Sequence, residues 1–276
     1  MQPSVPSPVG PDFRLADIDP DRHDGIEDRD AAEAYVKDTA EEFADLQERL
    51  FAESRSGGTR RVLLVLQAMD TAGKGGIIRH VVGLVDPQGV RITGFKAPTP
   101  EELEHDFLWR IRRGLPGPGL IGVFDRSHYE DVLIHRVRGL SPIDVVEARY
   151  GIIRDFEAEL VADGTTLRKV MLHISKDEQR ERLAERLDRP DKHWKYSPGD
   201  IDERELWDDY QDAYQLAIER TTTPEAPWYV ISANRKWYAR WAVYAVLLET
   251  LRGLDPQWPD ADFDVEAERA RLAASG

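Results

Sequence analysis

The chain has 276 residues, with 37 Lys and Arg against 52 Asp and Glu, a formal net charge of −15, 41% hydrophobic residues and no cysteine. That length and composition suit one ordinary folded domain with trimmings and exclude a chain disordered through most of its length. Without thiols there are no disulfides, no thiolate catalysis and no Cys-based zinc sites, and the acidic balance argues against binding to nucleic acid or to an anionic membrane. No apolar run of about 18 residues occurs, so no transmembrane helix is expected. The opening MQPSVPSPVG lacks the charged and apolar regions of a signal peptide, and the expected location is the cytoplasm.

Residues 1–30, rich in Pro and Asp, read as an extended acidic arm; residues 11–34 hold nine acids against three Arg. Over 31–54, Val36, Ala40, Phe43 and Leu50 share one helical stripe, which Ser56-Gly57-Gly58 closes. Val62-Leu63-Leu64-Val65-Leu66 is too unbroken for a half-exposed strand and predicts the buried centre of a parallel sheet. A glycine-bearing turn, 70–76, leads into a helix over 77–85, and 90–95 reads as a second strand. Thr99-Pro100-Glu101-Glu102 predicts a helix start, with the helix running to about 113. The third strand is expected at 120–124, a helix from 141 to 163, and the fourth strand at 169–174. Ser175-Lys176-Asp177-Glu178 caps a helix to about 187. A polar stretch, 188–199, precedes a helix over 202–220, a fifth strand at 228–231, and a helix with Trp237, Trp241, Tyr244, Leu248 and Leu251 on one face. Residues 254–276 form an acidic tail, so the two flanks hold −10 of the charge and the middle is close to balance.

Five strands separated by helices predict a three-layer α/β domain over 31–253, with a mainly parallel sheet and ligands at the carboxyl ends of its strands. Three unusual segments fall there. Asp70-Thr71-Ala72-Gly73-Lys74-Gly75-Gly76 joins a buried strand to a helix, where backbone N–H groups form a nest for phosphate and Lys74 adds a point charge. It is an imperfect P-loop, with Ala68 for the leading Gly and Gly75 where Ser or Thr would hold Mg²⁺, which leaves the metal to carboxylates, Asp70 first. The alternative is a glycine-rich turn with an exposed Lys. Asp125 ends the third strand, where a Walker-B-type acid binds Mg²⁺, and Arg126 follows it; a turn-capping Asp is the alternative. His128 is either a base or a satisfied structural side chain, and phosphoryl transfer needs no His nucleophile. Arg182, Arg186 and Arg189 share a helical face that Lys192 and Lys195 extend past the helix. They are either ion pairs with Glu181, Glu185 and Asp188 or a basic lid over phosphates, about 182–205.

Together with Phe95-Lys96-Ala97-Pro98-Thr99, Phe124-Asp125-Arg126-Ser127-His128-Tyr129-Glu130-Asp131-Val132-Leu133, Arg189-Pro190-Asp191-Lys192-His193-Trp194-Lys195 and Pro227-Trp228-Tyr229-Val230, the loop resembles polyphosphate kinase family 2. The resemblance covers about 33–252. It implies a thymidylate-kinase-like P-loop kinase core with a helical lid, and Mg²⁺-dependent transfer of phosphate between inorganic polyphosphate and a nucleotide. It places the two carboxylates on Asp70 and Asp125, the loop lysine on Lys74, the following arginine on Arg126 and the lid arginine on Arg186. Phosphate and nucleotide contacts are expected from Thr71, Ala72, Gly73, Gly75, Gly76, Lys96, Glu130, Arg182, Arg189 and Lys192, with Mn²⁺ as a possible substitute for Mg²⁺. Glu130 and Asp131 resemble members that take both AMP and ADP, purines preferred; alternatively both acids cap the next helix and pair with Arg136 or Arg138. A homo-oligomer, dimer or tetramer, is expected, with helices 33–54 and 237–251 offering faces to the core or to a second subunit. Rival readings are an ATP-dependent nucleoside-monophosphate or small-molecule kinase and a non-catalytic nucleotide-binding module.

Overall fold

A computed structural model describes residues 3–276. Arg29–Arg55 form α1, whose amino end is capped by the Asp28 carboxylate accepting from Ala31 N (2.8 Å). Strand β1 (Arg61–Ala68) follows and is buried along nearly its whole length, as an unbroken apolar run requires of a strand covered on both faces. Then come α2 (Lys74–His80), β2 (Val90–Gly94), α3 (Pro100–Leu103), α4 (Trp109–Gly114), β3 (Ile121–Asp125), α5 (Ile134–Val137), α6 (Ile143–Ala162) and β4 (Thr165–His173). The chain continues through α7 (Lys176–Asp188), α8 (Gly199–Glu205), α9 (Trp207–Thr221), β5 (Trp228–Ser232), α10 (Lys236–Leu254) and α11 (Val265–Ala273). All five strands are parallel, in the order β2-β3-β1-β4-β5. Parallel register sets Leu66 of β1 and Gly94 of β2 beside Asp125 of β3, so the loops after these strands emerge together.

Two expected helices are each split in two. Between α3 and α4 the Asp106 carboxylate accepts from Leu108 N (2.9 Å), and this local bond competes with the helical one. Between α8 and α9, Leu206 (φ −90°, ψ 23°) leaves helical geometry. The first helix after the loop ends at His80, and a 3₁₀ turn, Val82–Leu84, completes the stretch. The faces of α1 and α10 meet each other inside the chain: Phe43 lies edge-on to Tyr244 (5.0 Å between centroids), and Thr39 Oγ1 lies 2.8 Å from the Tyr244 hydroxyl.

The acidic arm is tied down rather than free. Leu15 is 3% exposed, Val9 N donates to Trp228 O (2.9 Å), and Gln215 brackets the arm by accepting from Leu15 N and donating to Phe13 O. At the carboxyl end, α11 is capped by Asp264 and buries no side chain.

Beneath the sheet's centre lies a fully enclosed polar cluster. Lys169 of β4 donates to Glu157 Oε2 of α6 (2.5 Å), to the Tyr129 hydroxyl (3.1 Å) and to Thr221 O (2.7 Å); the Tyr129 hydroxyl donates to Glu157 Oε1 (2.7 Å), which also faces His128 Nε2 (3.2 Å). Burial raises the Glu157 carboxyl, but the Lys169 charge and the His128 contact outweigh it and hold the pKa below the ordinary value, while burial pulls His128 down. His128 is therefore the structural side chain of the two alternatives. Removing one partner of such a pair strands a buried charge. Glu157→Leu should cost about 3–5 kcal/mol in denaturant unfolding, and adding Lys169→Met should recover most of it; a single variant within about 1 kcal/mol of wild type would contradict the ionised cluster.

Candidate active site

After Ala68 the chain turns over the end of β1 into α2. Two backbone positions make that turn: Gly73, at φ +117°, is the N-cap of α2, and Thr71 sits at φ +68°, where a β-branched side chain is strained. A third left-handed residue is Arg126 (φ +65°), the first past β3. Each non-glycine costs on the order of 1–3 kcal/mol, and such positions persist where the surroundings over-determine them. The Thr71 carbonyl is taken by Arg182 Nη1 (3.1 Å), and Arg126 is held by the loop and the sheet. Arg126 Nη2 donates to Asp70 Oδ1 (2.9 Å), and Arg126 N continues the sheet ladder onto Leu66 O (3.0 Å). Lys74 Nζ lies 4.0 Å from Asp125 Oδ1. The loop carboxylate, loop lysine, strand-tip acid and following arginine thus converge as two crossed pairs. The Thr71 hydroxyl is buried and has no hydrogen-bond partner among the described residues.

Glu130 stands behind Arg126. With the Gln67 amide oriented to satisfy both its ends, its nitrogen donates to Glu130 Oε1 (3.0 Å) and its oxygen accepts from Ser127 Oγ and N. Burial lifts the Glu130 carboxyl above its ordinary pKa against the pull of Arg126 and Lys74. Burial also opposes the Arg126 charge, yet Glu130 and then Asp70 outweigh it and raise the guanidinium's pKa. A cleft of about 250 Å³ opens between these groups and the lid, lined by Asp70, Arg126, Glu130, Asp200, Tyr210 and Tyr214. Asp131, next to Glu130, points elsewhere: it faces Arg149 (3.7 Å) and His135 (3.5 Å), and burial raises its carboxyl to about 6. The pairing of these two acids with Arg136 or Arg138 does not occur, because Arg136 is taken by Glu147 and Arg138 by Glu203.

The basic segment divides. Arg186 donates to Lys195 O (2.8 Å) and to Asp200 Oδ2 (3.2 Å), and Asp200 lines the cleft, so the segment's own carboxylate sits on this arginine. Burial, followed by the nearby Asp70 charge, pushes the Asp200 carboxyl up, against Ser197 N–H, Arg186 and Arg126. Arg189 pairs with Glu185 and Asp191, Lys192 approaches Asp191 (3.9 Å), and Trp194 is 79% exposed; this end has the surface ion pairs of the bland reading. Arg182 is buried, and all five of its N–H donors are engaged by the chain. Lys96 is exposed one residue past Phe95, whose N–H donates to Asp125 O. Ala72 is buried, whereas Gly75 and Gly76 open the first turn of α2.

Gln67, Asp200, Tyr210 and Tyr214 line or support the cleft without any motif to mark them. Among the described residues, no three or more His, Asp or Glu side chains converge as a ready metal cage. Asp70 and Asp125 are two partly exposed hard-oxygen donors beside Lys74, and that set leaves room for water and phosphate oxygens. A larger groove of about 880 Å³ runs between the arm and α9 and shares no residue with the loop.

Comparison with known proteins agrees with the geometry. The family model described as polyphosphate kinase 2 matches residues 26–259. A protein of Meiothermus ruber named AMP/ADP-polyphosphate phosphotransferase is 49% identical over 257 residues, 92% of this chain and 95% of the relative. An ADP-polyphosphate phosphotransferase of Rhodopseudomonas palustris is 43% identical over 241 residues, 82% of this chain and 81% of the relative. The crystal structure of polyphosphate kinase 2 from Arthrobacter aurescens TC1 superposes with a TM-score of 0.94 at 57% identity, covering 97% of this chain and 95% of that one. With the loop, the strand-tip acid and the lid all on the matched stretch, the chain belongs to the polyphosphate kinase 2 family.

Proposed function

We propose that this chain transfers phosphate between inorganic polyphosphate and both AMP and ADP, reversibly and with Mg²⁺. The observation that carries the reading is the crossed pairing of Asp70 with Arg126 and of Lys74 with Asp125 at the mouth of a lidded cleft. Phosphoryl transfer asks little covalent chemistry of a protein; it asks for positioned charge. The free loop amides and Lys74 hold the donor phosphates. Arg126, kept charged by Glu130 and Asp70, faces the oxygens on which charge builds. Arg186 leaves Asp200 for substrate when the lid engages. Asp70 and Asp125 are the residues that would hold Mg²⁺, which when bound neutralises phosphate oxygens.

Lys74→Ala removes a charge-assisted phosphate contact worth about 1.5–3 kcal/mol. Turnover should fall at least about tenfold with the circular dichroism spectrum intact. Near-normal kcat in a folded variant would refute the role given to the loop.

Acceptor choice is a second matter, and Glu130 favours the broader acceptor range. It alone of the two neighbouring acids faces the cleft, beside Arg126 and Lys74, where a carboxylate can recruit a further Mg²⁺ or its waters and bridge an acceptor one phosphate shorter. The Meiothermus relative carries both acceptors in its name. AMP, polyphosphate and Mg²⁺ with the purified chain should give ADP and then ATP without a second kinase. Glu130→Gln should lower the rate with AMP several-fold more than the rate with ADP, about 1 kcal/mol of selective loss. ADP accepted while AMP stays inert would overturn the acceptor assignment and leave the family untouched.

A further inference from the structure

Arg182 lies one helical turn before the lid arginine, is 5% exposed, and reaches no open surface. Its Nε donates to Glu178 Oε1 (2.6 Å), its Nη1 to the carbonyls of Thr71 (3.1 Å) and Ala72 (2.9 Å), and its Nη2 to those of Ala233 (2.7 Å) and Asn234 (2.9 Å). A guanidinium has five N–H groups, and these acceptors use all of them. They come from three elements: the first turn of α7, the phosphate loop, and the turn between β5 and α10.

In a trans peptide, the C=O of one residue and the N–H of the next point in opposite directions. No peptide bond in the described chain is cis. Drawing the Ala72 carbonyl onto Arg182 therefore turns the Gly73 N–H to the other side, and that N–H has no hydrogen-bond partner among the described residues. The same grip holds the carbonyl of the strained Thr71. The anvil behind Arg182 is itself fixed from outside. Asn234 N donates to Pro20 O (3.2 Å), Asn234 Nδ2 to Asp21 Oδ2 (3.0 Å), and Asn234 Oδ1 accepts from Ser175 N (2.9 Å), the N-cap of α7.

We infer that Arg182 is a positioning residue for phosphoryl transfer. It aims the Gly73 amide of the phosphate loop at the donor without touching it, and the acidic arm braces, through Asn234, the turn from which it pulls. The inference rests on the polyphosphate phosphotransferase reading and adds to it a residue that acts through the loop backbone.

A phosphate ligand and a positioning residue fail differently. Losing a ligand raises KM for polyphosphate and lowers the slope of log KM against log salt by about one charge. Losing a positioning contact lowers kcat and leaves that slope alone. The test uses the full chain with ADP, Mg²⁺ and polyphosphate, measuring kcat, KM and their salt dependence. Arg182→Ala and Arg182→Lys should both lose roughly tenfold or more in kcat, with KM for polyphosphate within about threefold and the salt slope unchanged. Lysine keeps the charge but offers three donors rather than five, so it should not rescue. Asn234→Ala keeps the carbonyl that Arg182 grips and the N–H bond to Pro20 O, and loses the side-chain bonds to Asp21 and Ser175; it should cost about threefold in kcat with the same KM and slope, and it decides the matter if Arg182→Ala does not fold. Lysine restoring activity to within about twofold, or a raised KM with a shallower slope, would overturn the inference. A wild-type chain that forms no ATP would overturn the functional reading and this one with it.

Discussion

The parallel pairing of β1 with β3, Leu66 beside Asp125, is the constraint on which the site depends. It brings the loop after β1 and the tip of β3 to one edge of the sheet, where Lys74 meets Asp125 and Asp70 meets Arg126. Neither loop is relaxed: Thr71 and Arg126 both carry left-handed backbone that side-chain-bearing residues avoid. Arg182 holds the Thr71 carbonyl, while the ion pair with Asp70 and the sheet ladder, which runs one step past Asp125 onto Leu66, hold Arg126. Stability from the buried strands is thus converted into fixed charge at the sheet's edge, which phosphoryl transfer uses more than it uses any nucleophile.

Charge explains how a chain of net −15 can serve a polyanion. The acids at the flanks lie on the arm and tail, and the arm's Asp21 is engaged with Asn234. At the site the balance is local. Glu130 and Asp70 stabilise the Arg126 charge against its burial, and Asp200 occupies Arg186 in the present conformation. Carboxylates here pair with the cations of the cleft, so a count of its acids does not give the sign of what it binds.

Much of this was legible in the residues because the signals were local. The run Val62–Leu66 declared a strand buried on both faces, and the glycines of 73–76 after it declared a tight turn into a helix. The rest depended on tertiary partners. Arg182, Arg186 and Arg189 repeat at helical spacing as if alike, yet one grips loop carbonyls, one pairs with Asp200 of the cleft lining and one sits in surface ion pairs. Glu130 and Asp131 are neighbours in a 3₁₀ turn and point to different surroundings. The arm's anchors, Val5, Val9, Phe13 and Leu15, are too sparse for any period, and Asp106 breaks a helix that capping signals alone would have carried through.

The central claim is direct transfer of phosphate between polyphosphate and a nucleotide at the Asp70–Arg126 and Lys74–Asp125 pairs. It is tested by incubating the purified chain with ³²P-labelled polyphosphate, unlabelled ADP and Mg²⁺, with no other donor present. The account predicts label in the terminal phosphate of ATP and none bound covalently to the protein. ATP formed without label, no ATP at all, or label trapped on the chain as an intermediate would contradict it.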